Sequence, residues 1–178
     1  LRYVGREYWA SEISRLTEKG ISITPENLKI SEKAIICLPY HRLQDVMEEE
    51  RLADKKFGST RRGIAPVYSD KYSKKGIRME DLYDMDSLSR KVKDLVEWKN
   101  ITVTGYGHAP INADEVMDWL RTYGSQILPY VTDVVGYLND AAVAGKRIMF
   151  EAQLGALRDI DFGIYPYTSS SQTLASYA

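Results

Sequence analysis

Residues 58–78 read GSTRRGIAPVYSDKYSKKGIR, and no long helix can cross them. Glycine in a helix interior costs about 1 kcal/mol relative to alanine and proline about 3, and Gly58, Gly63, Pro66 and Gly76 all fall within this stretch. The punctuation predicts an irregular loop holding one short helix over 67–74. The same region is the electrostatic outlier of the chain. Residues 51–78 carry nine Lys or Arg against two acids, a net charge of +7, whereas the whole chain carries −1. The balance before this region is −2 and after it −6, so a nearly neutral total conceals a polarised molecule.

On either side the pattern turns helical. Trp9, Ile13 and Leu16 recur at helical spacing ahead of Gly20, predicting an amphipathic helix over 6–19. The runs LKI (28–30) and AIICL (34–38) have strand composition and read as a pair of buried strands bounded by Pro39. Leu43, Val46 and Met47 then predict a helix from Arg42, with Glu48, Glu49 and Glu50 on its solvated face and Phe57-Gly58 ending it. Ser87 is placed to cap a helix carrying Leu88, Val92, Leu95 and Trp98 and ending near Asn100. Asn112 is placed to cap another, with Asp114 and Glu115 in the first turn, where the positive end of the helix dipole favours anions, and Val116, Trp119, Leu120 and Tyr123 inward. A last helix is predicted over 125–144, with Pro129 either in its first turn or kinking it. RIMF (147–150) reads as a short strand opening into a polar loop. The order gives a helix-rich α/β protein whose late strand pairs with strands outside these 178 residues.

At 44% hydrophobic and 28% charged, the chain has the composition of an ordinary globular domain. No stretch approaches the roughly 18 consecutive apolar residues of a membrane span, and LRYVGREYWASEI lacks the features of a secretory signal. The sole cysteine, Cys37, lies in an apolar run and reads as a buried small hydrophobe in a reducing compartment. A cytoplasmic location follows as the expectation. The chain opens on Leu1 and stops in an apolar pattern, LASYA, which reads as one segment of a longer protein.

The chemistry divides between two loops. In the first, glycines permit close backbone approach to an anion, Ser59 and Thr60 add hydroxyl donors, and Arg or Lys add charge-assisted hydrogen bonds to phosphate. A phosphate site and a solvated basic loop both satisfy these residues, and the spacing is not that of a P-loop. In the second, 150–173, a strand end opens into a polar loop, the usual position for ligands in open α/β sheets. Gln153 offers a donor and an acceptor, and Thr168, Ser169, Ser170 and Ser171 offer four hydroxyls. Asp159 and Asp161 form a weak metal signal and read better as turn residues. His41 and His108 have no Cys or His at metal-ligand spacing. His41, after a strand, has two readings, a general base or the more common hydrogen-bonded histidine at a strand end.

These two loops carry a resemblance. GSTRRGIAPVYSDKYSKKGIR with the following MEDLYD (79–84), and MFEAQLGALRDIDFGIYPYTSSS (149–171), resemble the adenylosuccinate synthetases. Weaker similarity runs through LKISEKAIICLPYHRLQD (28–45). The resemblance implies a fold that is the helix-rich central portion of a larger parallel or mixed-sheet GTP-dependent ligase. It implies a reaction in which GTP phosphorylates the 6-oxygen of IMP and L-aspartate then displaces phosphate, with Mg2+ assisting. It further implies that Thr60 hydrogen-bonds the IMP phosphate and that Lys74, where the family usually has arginine, reaches the IMP site of the partner subunit in a homodimer. Lys75 is the alternative if the register slips. Gln153 matches the family's glutamine within one position, and Ser169, with Thr168 beside it, matches a hydroxyl residue of the IMP site. The family's glycine-rich GTP loop, its catalytic aspartate and histidine and its guanine- and aspartate-binding parts have no counterpart in 1–178, so the resemblance implies that the ligands of GTP and Mg2+ lie outside these residues.

Two other readings are distinguishable. A nucleic-acid module would use the +7 region with Tyr68 and Tyr72 for stacking, but the overall charge and acidic flanks oppose it, so no nucleic acid and no membrane is expected as partner. A protein-interaction domain would expose Trp98 and Trp119 on a helical docking surface. Neither accounts for the second motif.

Overall fold

The computed structural model describes residues 3–4, 6–56, 58–151 and 154–177. Six helices dominate these residues: α1 (Arg6–Glu18), α2 (Pro39–Leu52), α3 (Ile64–Tyr72), α4 (Met85–Gly105), α5 (Ala113–Ile127) and α6 (Val134–Val143). Four two-residue strands accompany them: β1 (Tyr3–Val4), β2 (Ile30–Ser31), β3 (Ile35–Ile36) and β4 (Val131–Thr132). The expected pair of strands is therefore shorter than its apolar runs, and its members do not pair with each other. Instead β1 runs parallel to β3 and β2 runs parallel to β4. A turn closed by the Ala34 N–H on the Ser31 carbonyl separates β2 from β3 and sends them to different partners.

The tail of the basic region is stitched to the same place. Ile36 N–H donates to Ile77 O at 2.8 Å, Met79 N–H to Ala34 O at 2.9 Å and Glu80 N–H to Glu32 O at 2.9 Å. Ile77 and Met79 consequently sit at the bottom of the core, joined by Ile30, Leu38, Leu88, Val92, Val116, Met117 and Leu120. Each such fully buried aliphatic side chain contributes about 1.5–3 kcal/mol over an exposed one. Cys37 is buried beside Val67 and Ile35, and desolvation pushes its thiol up to about 11, so it behaves as the small hydrophobe expected.

Several helix boundaries differ from the periodic pattern, each for a local reason. Pro39, expected to end a strand, begins α2, because a proline needs no N–H in the first turn. The same freedom of ends lets α3 start at Ile64, directly after Gly63. Helix α4 is capped by Asp84, whose carboxylate accepts the Ser87 N–H at 3.0 Å, and it continues past Asn100 to Gly105. Asn100 stays helical because its side chain is occupied elsewhere, donating to Ile111 O and accepting from Ile111 N–H. Asn112 caps α5 as expected, accepting from Asp114 and Glu115 N–H, with Val116 and Leu120 buried and Trp119 packed against the core.

The helix expected over 125–144 does not exist as one element. Ser125 belongs to the last turn of α5, Leu128–Tyr130 form a 3-10 turn around Pro129, and Val131–Thr132 leave helical geometry to join β2. Helix α6 then restarts on a new cap, with Asp133 Oδ1 accepting from Val135 and Gly136 N–H at 3.1 Å each. Arg147 to Phe150 form no strand: the backbone there is irregular, and Met149 and Phe150 are exposed. A strand gains its stability from a ladder partner, and among the described residues none lies beside this one. No helix among the described residues is long and apolar enough to cross a membrane.

Candidate phosphate-binding loop and its surroundings

Residues 58–63 lead into the start of α3, and three of them take a left-handed backbone. Gly58, Arg61 and Gly63 all take positive φ, at 76°, 55° and 81°. A buried carboxylate holds the loop from beneath. Asp45, on α2, accepts the Ser59 hydroxyl at 2.6 Å through Oδ1 and the Gly63 N–H at 2.8 Å through Oδ2. Ser59 Oγ in turn accepts the Arg61 N–H at 3.1 Å. Both capacities of the Ser59 hydroxyl are thus spent inside the protein. It is not the second phosphate donor that its position next to Thr60 suggests. Thr60 itself is exposed, and its hydroxyl makes no hydrogen bond to the described residues.

Lys74 lies at the other end of α3. Its φ is +62°, its side chain is exposed, and it lines a cleft of about 260 Å3 with Lys33, Lys71, Arg78 and Lys91, facing Glu80 and Asp81. Arg78 pairs with Glu80 at 3.0 Å and Lys91 with Asp81 at 2.7 Å. Lys33, Lys71 and Lys74 then have no carboxylate partner among the described residues, which leaves the cleft basic. No residue of the 58–63 loop lines it. Lys75 is differently placed, with its ammonium 4.4 Å from the centroid of the Trp98 ring. Trp98 is partly exposed around that contact, whereas Trp119 packs against the core.

Between these ends, α3 is fastened by a buried polar network. The Leu38 N–H donates to His41 Nδ1 at 2.9 Å, which puts the imidazole proton on Nε2, and Nε2 lies 2.9 Å from Asp70 Oδ2. The other Asp70 oxygen accepts from Lys99 Nζ at 2.5 Å, and Lys99 also donates to Gln44 Oε1 at 3.1 Å. His41, Asp70 and Lys99 are all essentially inaccessible to solvent. Desolvation lowers the His41 pKa below the usual histidine value, against the pull of Asp70. For Asp70, desolvation alone would raise the carboxyl, but the hydrogen bonds from His41 and Lys99 outweigh it and hold the group below the usual range. His41 is therefore the structural histidine the sequence indicates, and it joins α2, α3 and α4.

The second loop is organised around Asp159. Its Oδ1 accepts from Asp161 and Phe162 N–H, and its Oδ2 from Thr173 N–H at 2.6 Å and Leu174 N–H at 3.4 Å. The Thr173 N–H leads the backbone donors that lower its pKa. Asp-x-Asp here is a turn device, as its weak spacing suggests, and among the described residues no three His, Cys, Asp or Glu side chains converge as a metal set would require. Ser169 is half-buried, with its N–H on Arg158 O at 2.9 Å and its Oγ 3.0 Å from Ser171 Oγ. Thr168 is half-buried too, and its hydroxyl makes no hydrogen bond to the described residues. Gln153 lies outside the described residues.

The adenylosuccinate synthetase family model matches residues 4–178. The chain belongs to the adenylosuccinate synthetase family. Among curated relatives, the adenylosuccinate synthetase of Lactococcus lactis subsp. lactis (strain IL1403) is 42% identical over 165 residues, which cover 92% of this chain and 38% of that protein. That of Staphylococcus epidermidis (strain ATCC 12228 / FDA PCI 1200) is 41% identical over the same span. The solved structure of fully ligated adenylosuccinate synthetase from Plasmodium falciparum superposes with a TM-score of 0.79 at 27% identity, covering 92% of this chain and 39% of that one. The chain spans about 38% of the length of the curated relatives it matches. The helix-rich fold with its small parallel ladders agrees with this synthetase neighbour.

Around these loops, Asp45, Asp70 and Lys99 are buried anchors that the sequence pattern does not single out, whereas Asp159 is the turn residue that it does. Two of these three anchors do carry a signal in the sequence. Asp70 is the only acid between Lys55 and Arg78, and Asp45 lies on the face of α2 that also buries His41 and Glu49, where an amphipathic pattern calls for apolar residues.

Proposed function

We propose that this chain is the central part of a GTP-dependent ligase that makes adenylosuccinate from IMP and L-aspartate, in AMP biosynthesis in the cytoplasm. In this reading the GTP phosphate-binding part precedes it and the guanine- and aspartate-binding parts follow it in the longer protein. The chain contributes one wall of the IMP site and part of a homodimer interface. Thr60 donates its hydroxyl to the IMP phosphate. Lys74 brings an ammonium to the phosphate held by the partner subunit, and Gln153, Ser169 and Thr168 line the nucleotide. Gripping the phosphate orients a reacting 6-oxygen some distance away, so binding energy at one end of the substrate fixes geometry at the other. GTP supplies the phosphoryl group and Mg2+ offsets its charge. In this reading the residues that hold GTP and Mg2+ belong to the parts outside these 178 residues.

The observation that carries this reading is the placement of Thr60 and Lys74 at opposite ends of α3. Nine helical residues span about 14 Å, more than a lysine side chain reaches. Thr60 faces solvent with its hydroxyl unspent, while Lys74 lines a separate basic cleft. Their separation in one chain favours a phosphate gripped by Thr60 of one subunit and Lys74 of the other across a two-fold axis. Lys75, drawn onto Trp98, is less available than Lys74 for that role. Lysine keeps the charge of the family's arginine but loses its bidentate fork.

In the full-length protein, Thr60→Ala should raise KM for IMP by the equivalent of about 1–3 kcal/mol, the loss of a hydrogen bond to a charged phosphate, with KM for GTP unchanged. An unaltered KM for IMP would remove Thr60 from the site. The cross-subunit role has its own test. Thr60→Ala and Lys74→Ala subunits, each impaired alone, should regain activity when mixed and re-associated, because one site of each hybrid dimer is then intact. If mixing restores nothing, Lys74 acts within its own subunit or not at all.

A further inference from the structure

We propose that Asp45 is the positioning residue of the phosphate loop: its buried carboxylate fixes the Thr60 hydroxyl for binding without touching substrate. The inference rests on the reading of Thr60 as a phosphate ligand and extends it to a residue that contacts no ligand. A carboxylate is an unexpected support for a loop that receives an anion, since like charges repel. The geometry resolves the conflict. Asp45 is nearly inaccessible to solvent, and its two oxygens are occupied by the Ser59 hydroxyl at 2.6 Å and the Gly63 N–H at 2.8 Å. Those two anchors bracket Thr60, Arg61 and Arg62. A third bond, Arg61 N–H to Ser59 Oγ at 3.1 Å, propagates the constraint through the segment and holds Arg61 in the left-handed region that a non-glycine residue visits at a cost.

The consequence is a division of labour between adjacent hydroxyls. Ser59 points inward and is consumed by Asp45, so Thr60 is left as the one outward hydroxyl of the pair, already ordered before any ligand arrives. A loop fixed in its bound geometry loses less conformational entropy on binding. Asp45 also holds the Gly63 N–H at the start of α3, so the loop and the helix that carries Lys74 at its far end share one anchor.

The test is kinetic, in the full-length protein. Asp45→Asn keeps the shape and an oxygen for Ser59 but turns an amide NH2 toward the Gly63 N–H, donor against donor. KM for IMP should rise about tenfold, as expected when one hydrogen bond in a positioning network is lost, with kcat and KM for GTP within about twofold of the parent. Combined with Thr60→Ala, it should add little, because a residue acting through Thr60 has nothing left to position. If Asp45→Asn does not fold, Ser59→Ala removes one leg of the bracket and keeps the carboxylate, and the same non-additivity with Thr60→Ala is expected of a smaller effect. An unchanged KM for IMP in these variants, or effects that multiply with Thr60→Ala, overturns the positioning role while leaving Thr60 as a ligand. If Thr60→Ala itself leaves KM for IMP unchanged, the underlying phosphate reading fails instead, and the positioning role fails with it.

Discussion

Replacing Asp70 with alanine should cost this chain about 3–5 kcal/mol of stability, the penalty for removing one member of a buried ion pair and leaving the other uncompensated. With total stabilities of about 5–15 kcal/mol typical of natural proteins, that is enough to unfold a large fraction of the molecules. Asp70 accepts from Lys99 at 2.5 Å and from His41 at 2.9 Å, and all three groups are shut away from water. Without the carboxylate, the Lys99 ammonium keeps among the described residues Gln44 and the faces of Tyr40 and Trp98, 5.5 and 5.4 Å from the ring centroids. Urea denaturation followed by tryptophan emission reads the effect as a lowered midpoint. Adding Lys99→Met should recover stability instead of losing more, since the buried charge is removed with its partner. A doubly substituted protein weaker than Asp70→Ala would show that the aliphatic packing of Lys99, not its charge, is what matters.

The same network sets the acid limit of the fold. His41 is held below its ordinary pKa of about 6.5, so below that pH the unfolded chain takes up a proton that the folded chain refuses, and stability falls. Asp70 is held below its ordinary value of about 3.9, so its contribution is complete above that pH and is lost as pH drops through the lowered value. Stability should therefore decline in two stages on acidification, from about pH 6.5 and again below about pH 4. His41→Gln should abolish the first stage and spare the second. If His41→Gln and the parent show one common acid transition, the network does not govern it.

The second large effect is expected at Gly63. A Cβ there would lie 2.8 Å from the His41 carbonyl carbon and 2.9 Å from the Arg42 nitrogen, both backbone atoms of α2 that cannot rotate away. The residue also has φ +81°, which an L side chain adopts at a cost. Strain and overpacking together predict about 2–5 kcal/mol for Gly63→Ala. Because Gly63 N–H is one of the two ligands of Asp45, the same change should raise KM for IMP in the full-length protein. Gly58→Ala is the matched control. Its φ is +76° but nothing lies within 4 Å of its Cβ position, so only the backbone cost of about 1–2 kcal/mol applies. Equal losses at the two glycines would mean that close contact with α2 contributes nothing.

What the sequence by itself determined is what depends on near neighbours. Helical periodicity located α1, α4 and α5, Asn112 announced its cap, and the glycines of 58–78 announced that α3 would be short, although it runs over Ile64–Tyr72 with Pro66 inside its first turn and not over the expected 67–74. Motif similarity over two loops was enough for the family. Long-range pairing had no local signal. The apolar pattern of 125–144 is continuous with a helix, and only the approach of Ile30 pulled Val131 into a ladder and forced a new cap at Asp133. RIMF looks like a strand in composition yet finds no ladder partner among the described residues. The anchors were hidden for a related reason. Asp45, Asp70 and Asp159 are buried because tertiary structure brings to each of them two donors from another part of the chain, which for Asp159 join two donors of its own turn. A buried charge is tolerable only when such donors converge on it, and convergence is a property of the folded chain alone.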